Sequence, residues 1–150
     1  MVFVSMLPFR VGAQNNTISD PENAVVTVKG VSYQIDRIVP NSNDNLKLKE
    51  GYKAIDLQLK YTLSSKLGFF EIFGIFSNAE KHFGEGKFED AEGNIYAVEG
   101  INSQELDAVS EQEKEYMLTL TTVVPKDIDS GTLSFVLEDK RYPLMFFIKD

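Results

Sequence analysis

"YKAIDLQLKYTL", residues 52–63, sets Ile55, Leu57, Leu59 and Tyr61 on one side of an extended chain and Asp56, Gln58 and Lys60 on the other. A period of two is the mark of a strand with one buried face, because successive side chains of an extended backbone point to opposite sides. The same alternation recurs downstream. "EYMLTLTTVV" sets Tyr116, Leu118 and Leu120 on one face, "GTLSFVLE" repeats it with Leu133, Phe135 and Leu137, and "YPLMFFI" with Leu144, Phe146 and Ile148. Upstream, "VVTVKGVSYQIDRIV" is rich in β-branched and aromatic residues and is divided by Gly30, which predicts two short strands or one kinked strand. In "KFEDAEGNIYAVEG" two arms flank Glu92-Gly93-Asn94, a hairpin whose glycine tolerates positive φ.

Some seven short strands separated by turn signals predict an all-β, antiparallel sandwich. One helix is expected. Ser77-Asn78-Ala79-Glu80 has capping-box spacing and Gly84 can end the helix after His82 and Phe83, giving about two turns. It falls in an aromatic stretch, Ser65 to Gly86.

With 150 residues the chain suits one domain, expected over 24–150. Residues 14–23 are polar, contain Pro21 and read as a lead-in. Residues 1–13 carry an apolar run ending in Val11-Gly12-Ala13, small enough near its end to resemble a clipped signal peptide cleaved before Gln14; the other reading is an ordinary first segment of a cytosolic protein.

Composition removes several chemistries. Fifteen Lys+Arg against 23 Asp+Glu give a net charge of −8, which repels polyphosphate, so no nucleic-acid partner is expected and contact with an anionic membrane surface is disfavoured. No apolar run reaches the ~20 residues of a transmembrane span. Without cysteine there is no disulfide, thiolate nucleophile or thiolate metal site, and with His82 alone there is no two-histidine metal motif. No cofactor or metal is expected. Asp90, Glu92, Gly93, Ile95 and Glu99 share part of a calcium-loop spacing, but Phe88 stands at its first ligand position, and solvated acids on a hairpin explain them better. Glu105 to Glu115 and Asp127 to Asp129 read as solvated loops, the former with a turn or a short helix. A catalytic His82 would need a nucleophile and an orienting carboxylate brought together by folding. A small metal-dependent or hydrolytic enzyme using His82 and loop acids is therefore the weaker alternative to a protein that is not an enzyme.

The order "VKGVSYQIDRI", "LKEGYKAIDLQLKYTL", "FEDAEGNIYAV", "VVPKDIDSGTLSFVLED" resembles the immunoglobulin-like domain of unknown function found in bacterial secreted proteins and lipoproteins. Gly51-Tyr52, Phe88 to Tyr96 and Gly131 to Phe135 carry the likeness. It implies an immunoglobulin-like sandwich, secreted or periplasmic, serving as a binding or structural module of the cell envelope. Members often carry a lipid-modified mature N-terminal cysteine; this chain has none, which implies a soluble form.

Ser65 to Gly86 is longer and more aromatic than the linker usual in that family, and this insertion holds the sequence's anomaly, "LGFFEIFGIF", residues 67–76. As a strand it has Phe69, Glu71, Phe73 and Ile75 on one side and Phe70, Ile72, Gly74 and Phe76 on the other; as a helix it leaves only a narrow polar flank at Glu71 and Gly74. Either geometry exposes phenylalanine unless something covers it, at a cost of about 1.5–3 kcal/mol for each ring left in water. One reading has the segment plug the open end of the sandwich or lie across its sheet. The other makes Leu67, Phe69, Phe70, Phe73 and Phe76 a contact surface for a protein partner or a second copy.

Overall fold

The computed structural model describes residues 25–41, 47–128 and 133–144. The expectations for residues 1–24, and those for Phe146 and Ile148, lie outside the described residues. Strands β1 (Val25–Val28), β2 (Val31–Pro40) and β3 (Tyr52–Ser64) precede helix α1 (Phe69–Gly84). There follow β4 (Lys87–Asp90), β5 (Ile95–Ala97), β6 (Gly100–Ala108), β7 (Glu113–Pro125), β8 (Leu133–Leu137) and β9 (Lys140–Leu144). They form two antiparallel sheets, one of five strands in the order β1-β2-β3-β7-β6 and one of four in the order β9-β8-β4-β5. The fold is an all-β antiparallel sandwich with one helix among the described residues.

The stretch that decides the fold lies at its centre. β3 pairs with β7 from Tyr52↔Pro125 to Ser64↔Glu113, and the rows Leu57↔Leu120, Leu59↔Leu118 and Tyr61↔Tyr116 put large apolar side chains opposite one another on the buried face. Thr122, opposite Ile55, is buried too, and its hydroxyl donates to the Ala97 carbonyl at 2.7 Å, tying β7 to the other sheet. Satisfying that hydroxyl is what permits a polar residue in this row. In β2 the inward sequence Tyr33, Ile35, Ile38 changes parity, and the register shifts between Ile35 and Arg37; the extra residue of a bulge accounts for both.

Gly30 does divide two strands: Lys29 and Gly30 have φ of 48° and 84°, the paired positive values of a two-residue hairpin. The Glu92-Gly93-Asn94 hairpin also forms, with Gly93 at φ 87°. β6 is the strand that hydrophobic alternation does not announce. It is an edge strand with mostly exposed side chains; within the acidic stretch Glu105 pairs with Tyr116 and Ala108 with Lys114, with a register shift between them, before the turn to β7. Charged side chains on such an edge discourage pairing with further chains.

The helix is longer than expected and starts earlier. It runs 16 residues from Phe69, not two turns from Ser77. Gly68 is the N-cap, and the Glu71 carboxylate accepts the Gly68 N–H at 3.1 Å, one half of a capping box, while the acid also faces the positive end of the helix dipole. Leu67 and Ile72, the positions of a hydrophobic staple around that cap, both pack on the core. The expected end holds: the Glu85 and Gly86 amides donate back to the His82 and Phe83 carbonyls at 3.2 and 3.0 Å.

Candidate functional site

Three tyrosines prepare the helix's seat. Tyr33, Tyr61 and Tyr116 stand side by side on β2, β3 and β7, with ring centroids 4.7 and 5.4 Å apart across the row. Phe76 meets Tyr61 and Tyr116 edge-on at 6.4 and 5.7 Å, and Phe83 meets Tyr33 edge-on at 5.1 Å. Phe83 also stacks on Phe135 of the opposite sheet at 6.3 Å, and Ala79 lies fully buried between the two contacts. The helix is thereby wedged between the sheets through Ile72, Ile75, Phe76, Ala79 and Phe83, a stripe spaced i, i+3, i+4, i+7, i+11. Burial pushes the Tyr33 phenol up to about 12 and raises Tyr61 further, although Ser103 donates or accepts at 3.2 Å from the Tyr61 hydroxyl.

The first turn is different. Phe69, Phe70 and Phe73 are 77%, 86% and 60% exposed. They touch one another, Phe69 against Phe70 at 5.6 Å and parallel to Phe73 at 6.4 Å, and form a contiguous aromatic ridge. Of the five residues expected to make a contact surface, these three are exposed, while Leu67 and Phe76 are half-buried and pack on the core. The two readings of residues 67–76 thus divide the segment between them: one helical face plugs the sandwich and the other stays in solvent.

A groove of about 250 Å³ opens beside the ridge. Ile72, Phe73 and Phe76 form its helical wall; Ser103 and Glu105 of β6 and Tyr116 of β7 form the other. Burial raises the Tyr116 phenol, and the nearby Glu105 carboxylate pushes it the same way. The tip of the β6–β7 hairpin is fastened to the chain just before the helix: Ser65 donates from its N–H and its hydroxyl to the Gln112 and Glu111 carbonyls, each at 2.8 Å.

His82 lies elsewhere, in an open cleft of about 430 Å³ near the helix C-terminus that also includes Asn78, Lys81 and Glu138. Its Nε2 is 3.4 Å from the Glu138 carboxylate. That sets a base beside a carboxylate; Thr27 also lines the cleft, and among the described residues no hydrogen bond joins His82 to a hydroxyl. The partial calcium-loop spacing also has another explanation. Asp90 accepts from the amides of Glu92 and Asn94 at 2.9 Å each, from Asn94 Nδ2 at 3.0 Å and from the Tyr96 hydroxyl at 2.8 Å. Desolvation acts to raise its carboxyl, but these four donors outweigh it and hold the group below its ordinary value. Its oxygens serve the hairpin, and no group of three potential ligands occurs among the described residues.

Among the described residues no helix is long and apolar enough to cross a membrane. No family model matches the chain, and no curated protein or solved structure matches it significantly.

Proposed function

We propose that this chain is a non-enzymatic binding or structural module of the immunoglobulin-like type, exported by a bacterium to the periplasm or beyond and acting in the cell envelope through the aromatic ridge of its helix. The ridge carries the reading. Three adjoining phenylalanines, all more than half exposed, stand on a helix whose other face is fixed in the core. Large apolar rings leave water on binding a partner, and a rigid base lowers the ordering cost of that step. Export rests on the apolar, small-residue pattern of residues 1–13 and on the likeness in Gly51-Tyr52 and Phe88 to Tyr96.

The test is site-specific photocrosslinking in the native host, with a photoreactive residue replacing Phe70 and, as control, Thr62 on the far face of β3. A defined-mass adduct from position 70 that disappears with Phe73→Asp is the expected result. Equal adducts from both positions, or none from position 70, would overturn the interface. Intact mass of the recovered protein tests export: cleavage before Gln14 is expected, and an uncleaved N-terminus on a cytosolic chain would refute it.

A further inference from the structure

The charge around the groove bears on what occupies it. Of the carboxylates in residues 66–76 and 103–116, Glu113 and Glu115 stand opposite Ser64 and Thr62 on the outer face of the sheet, which leaves Glu71, Glu105, Asp107 and Glu111 near the groove, against Lys66 and Lys114. Glu105 stands in the groove wall itself, and the Ser65 bonds keep the acidic hairpin tip beside the start of the helix. Lys114 and Glu105 offset each other at 3.6 Å, which leaves Glu71, Asp107 and Glu111 against Lys66. An apolar ridge and groove are thus framed by an excess of negative charge. Two copies meeting here would bring like charges together, and an anionic lipid surface would be repelled; a ligand with alternating apolar and cationic groups suits both features.

We infer that the groove between α1 and the β6–β7 hairpin binds a cationic, amphipathic segment of another protein, with an apolar side chain seated between Phe73 and Tyr116 and lysines or arginines facing Glu105 and the hairpin acids. The inference rests on the ridge being an interface and adds the partner's chemistry. Phenylalanines act as anchors, and the carboxylates set orientation and encounter rate. Affinity therefore falls with salt, as exposed pairs are screened over about 10 Å at 0.1 M.

The probe is a synthetic leucine–lysine amphipathic peptide, titrated against the full chain by fluorescence anisotropy beside a leucine–glutamate counterpart. Expected are saturable binding of the cationic peptide only, a loss of about thirtyfold or more in the Phe70→Asp/Phe73→Asp variant, and a loss of about two- to fivefold in Glu105→Gln. Circular dichroism of the variants, unchanged from wild type, separates lost binding from lost folding. Equal affinity of wild type and the phenylalanine variant would reduce the interaction to diffuse charge attraction and overturn the inference, as would preference for the acidic peptide or concentration-dependent dimerisation through the ridge. Crosslinks at position 70 together with no affinity for the cationic peptide would refute the partner chemistry alone; no crosslinks would refute the interface beneath it.

Discussion

Replacing Phe83 by alanine and replacing Phe70 by alanine remove the same atoms from the same helix, yet the consequences should differ by several kcal/mol. Phe83 is fully buried and bridges the sheets, edge-on to Tyr33 at 5.1 Å and stacked on Phe135 at 6.3 Å. Truncating a buried phenylalanine costs about 3–5 kcal/mol in transfer free energy and cavity formation. Against a total stability of about 5–15 kcal/mol, that is a large fraction. At about 2–4 °C per kcal/mol for a domain of this size, Tm should fall by about 6–20 °C. Phe70 is 86% exposed, and its truncation should move stability by no more than about 0.5 kcal/mol. Urea unfolding followed by circular dichroism, with the slope checked for constancy, measures both. If Phe70→Ala costs more than about 2 kcal/mol in dilute solution, the ridge is core and the interface argument fails. If Phe83→Ala costs less than about 1 kcal/mol, the helix is not wedged between the sheets.

Other perturbations test separate parts of the structure. Gly86→Ala should destabilise by about 1–3 kcal/mol, because a Cβ there would lie 2.7 Å from Phe135 Cζ in a packed core; an unchanged denaturation midpoint would mean that the Phe135 ring yields to a methyl group without cost. Burial holds Tyr33 at about 12, above the ordinary phenol value near 10, so its contribution is complete below about pH 10 and is lost as pH rises toward 12. Alkaline unfolding should therefore set in over that window and flatten in Tyr33→Phe, and ordinary titration of every tyrosine at 295 nm in the folded protein would contradict the burial. Asp90→Ala should accelerate amide exchange at Glu92 and Asn94 and destabilise the β4–β5 hairpin, whereas protection equal to wild type would mean that its hydrogen bonds are dispensable. Millimolar calcium should leave Tm unchanged, since a cation at Asp90 must displace four donors; a rise in Tm would restore the metal-dependent alternative.

Where one face of a strand is buried and the other solvated, the pattern is legible over a few residues: Ile55 to Tyr61 and Tyr116 to Leu120 fall inward as their alternation requires. β6 escapes that logic because its edge position leaves most of both faces wet, so no period-two contrast is selected. The helix escapes for the opposite reason. Within residues 67–76 apolar groups fill nearly every direction, and the buried stripe emerges only when Ala79 and Phe83 are joined to Ile72, Ile75 and Phe76. Its start is similarly masked, since Ser77 to Glu80 offers a better local capping box than Gly68 with Glu71. A start at Ser77 would have left Ile72, Ile75 and Phe76 outside the helix that seats them on the tyrosine row, and tertiary packing overrides local capping at that scale.

That override also explains how exposed phenylalanines can persist. A short helix is marginal by itself, and here the C-terminal half supplies what the N-terminal turn lacks: Phe76, Ala79 and Phe83 hold the axis while Glu71 and the Leu67–Ile72 staple positions close the first turn. Phe69, Phe70 and Phe73 contribute little to that arrangement, and three polar residues at those positions would serve the fold as well and reduce the risk of association. Stability thus gives no reason for the ridge, and the sandwich with its tyrosine seat accounts for everything on the helix except those rings. The proposed use in binding supplies a reason that folding does not, and the helix's fixed base suits it: the rings are held with centroids 5.6 and 6.4 Å apart in the isolated chain. If Phe69, Phe70 and Phe73 were all replaced by serine, the chain should fold with unchanged cooperativity and lose its photocrosslink from a reporter at Glu105. A triple variant that instead unfolds would place the ridge's role within the fold itself.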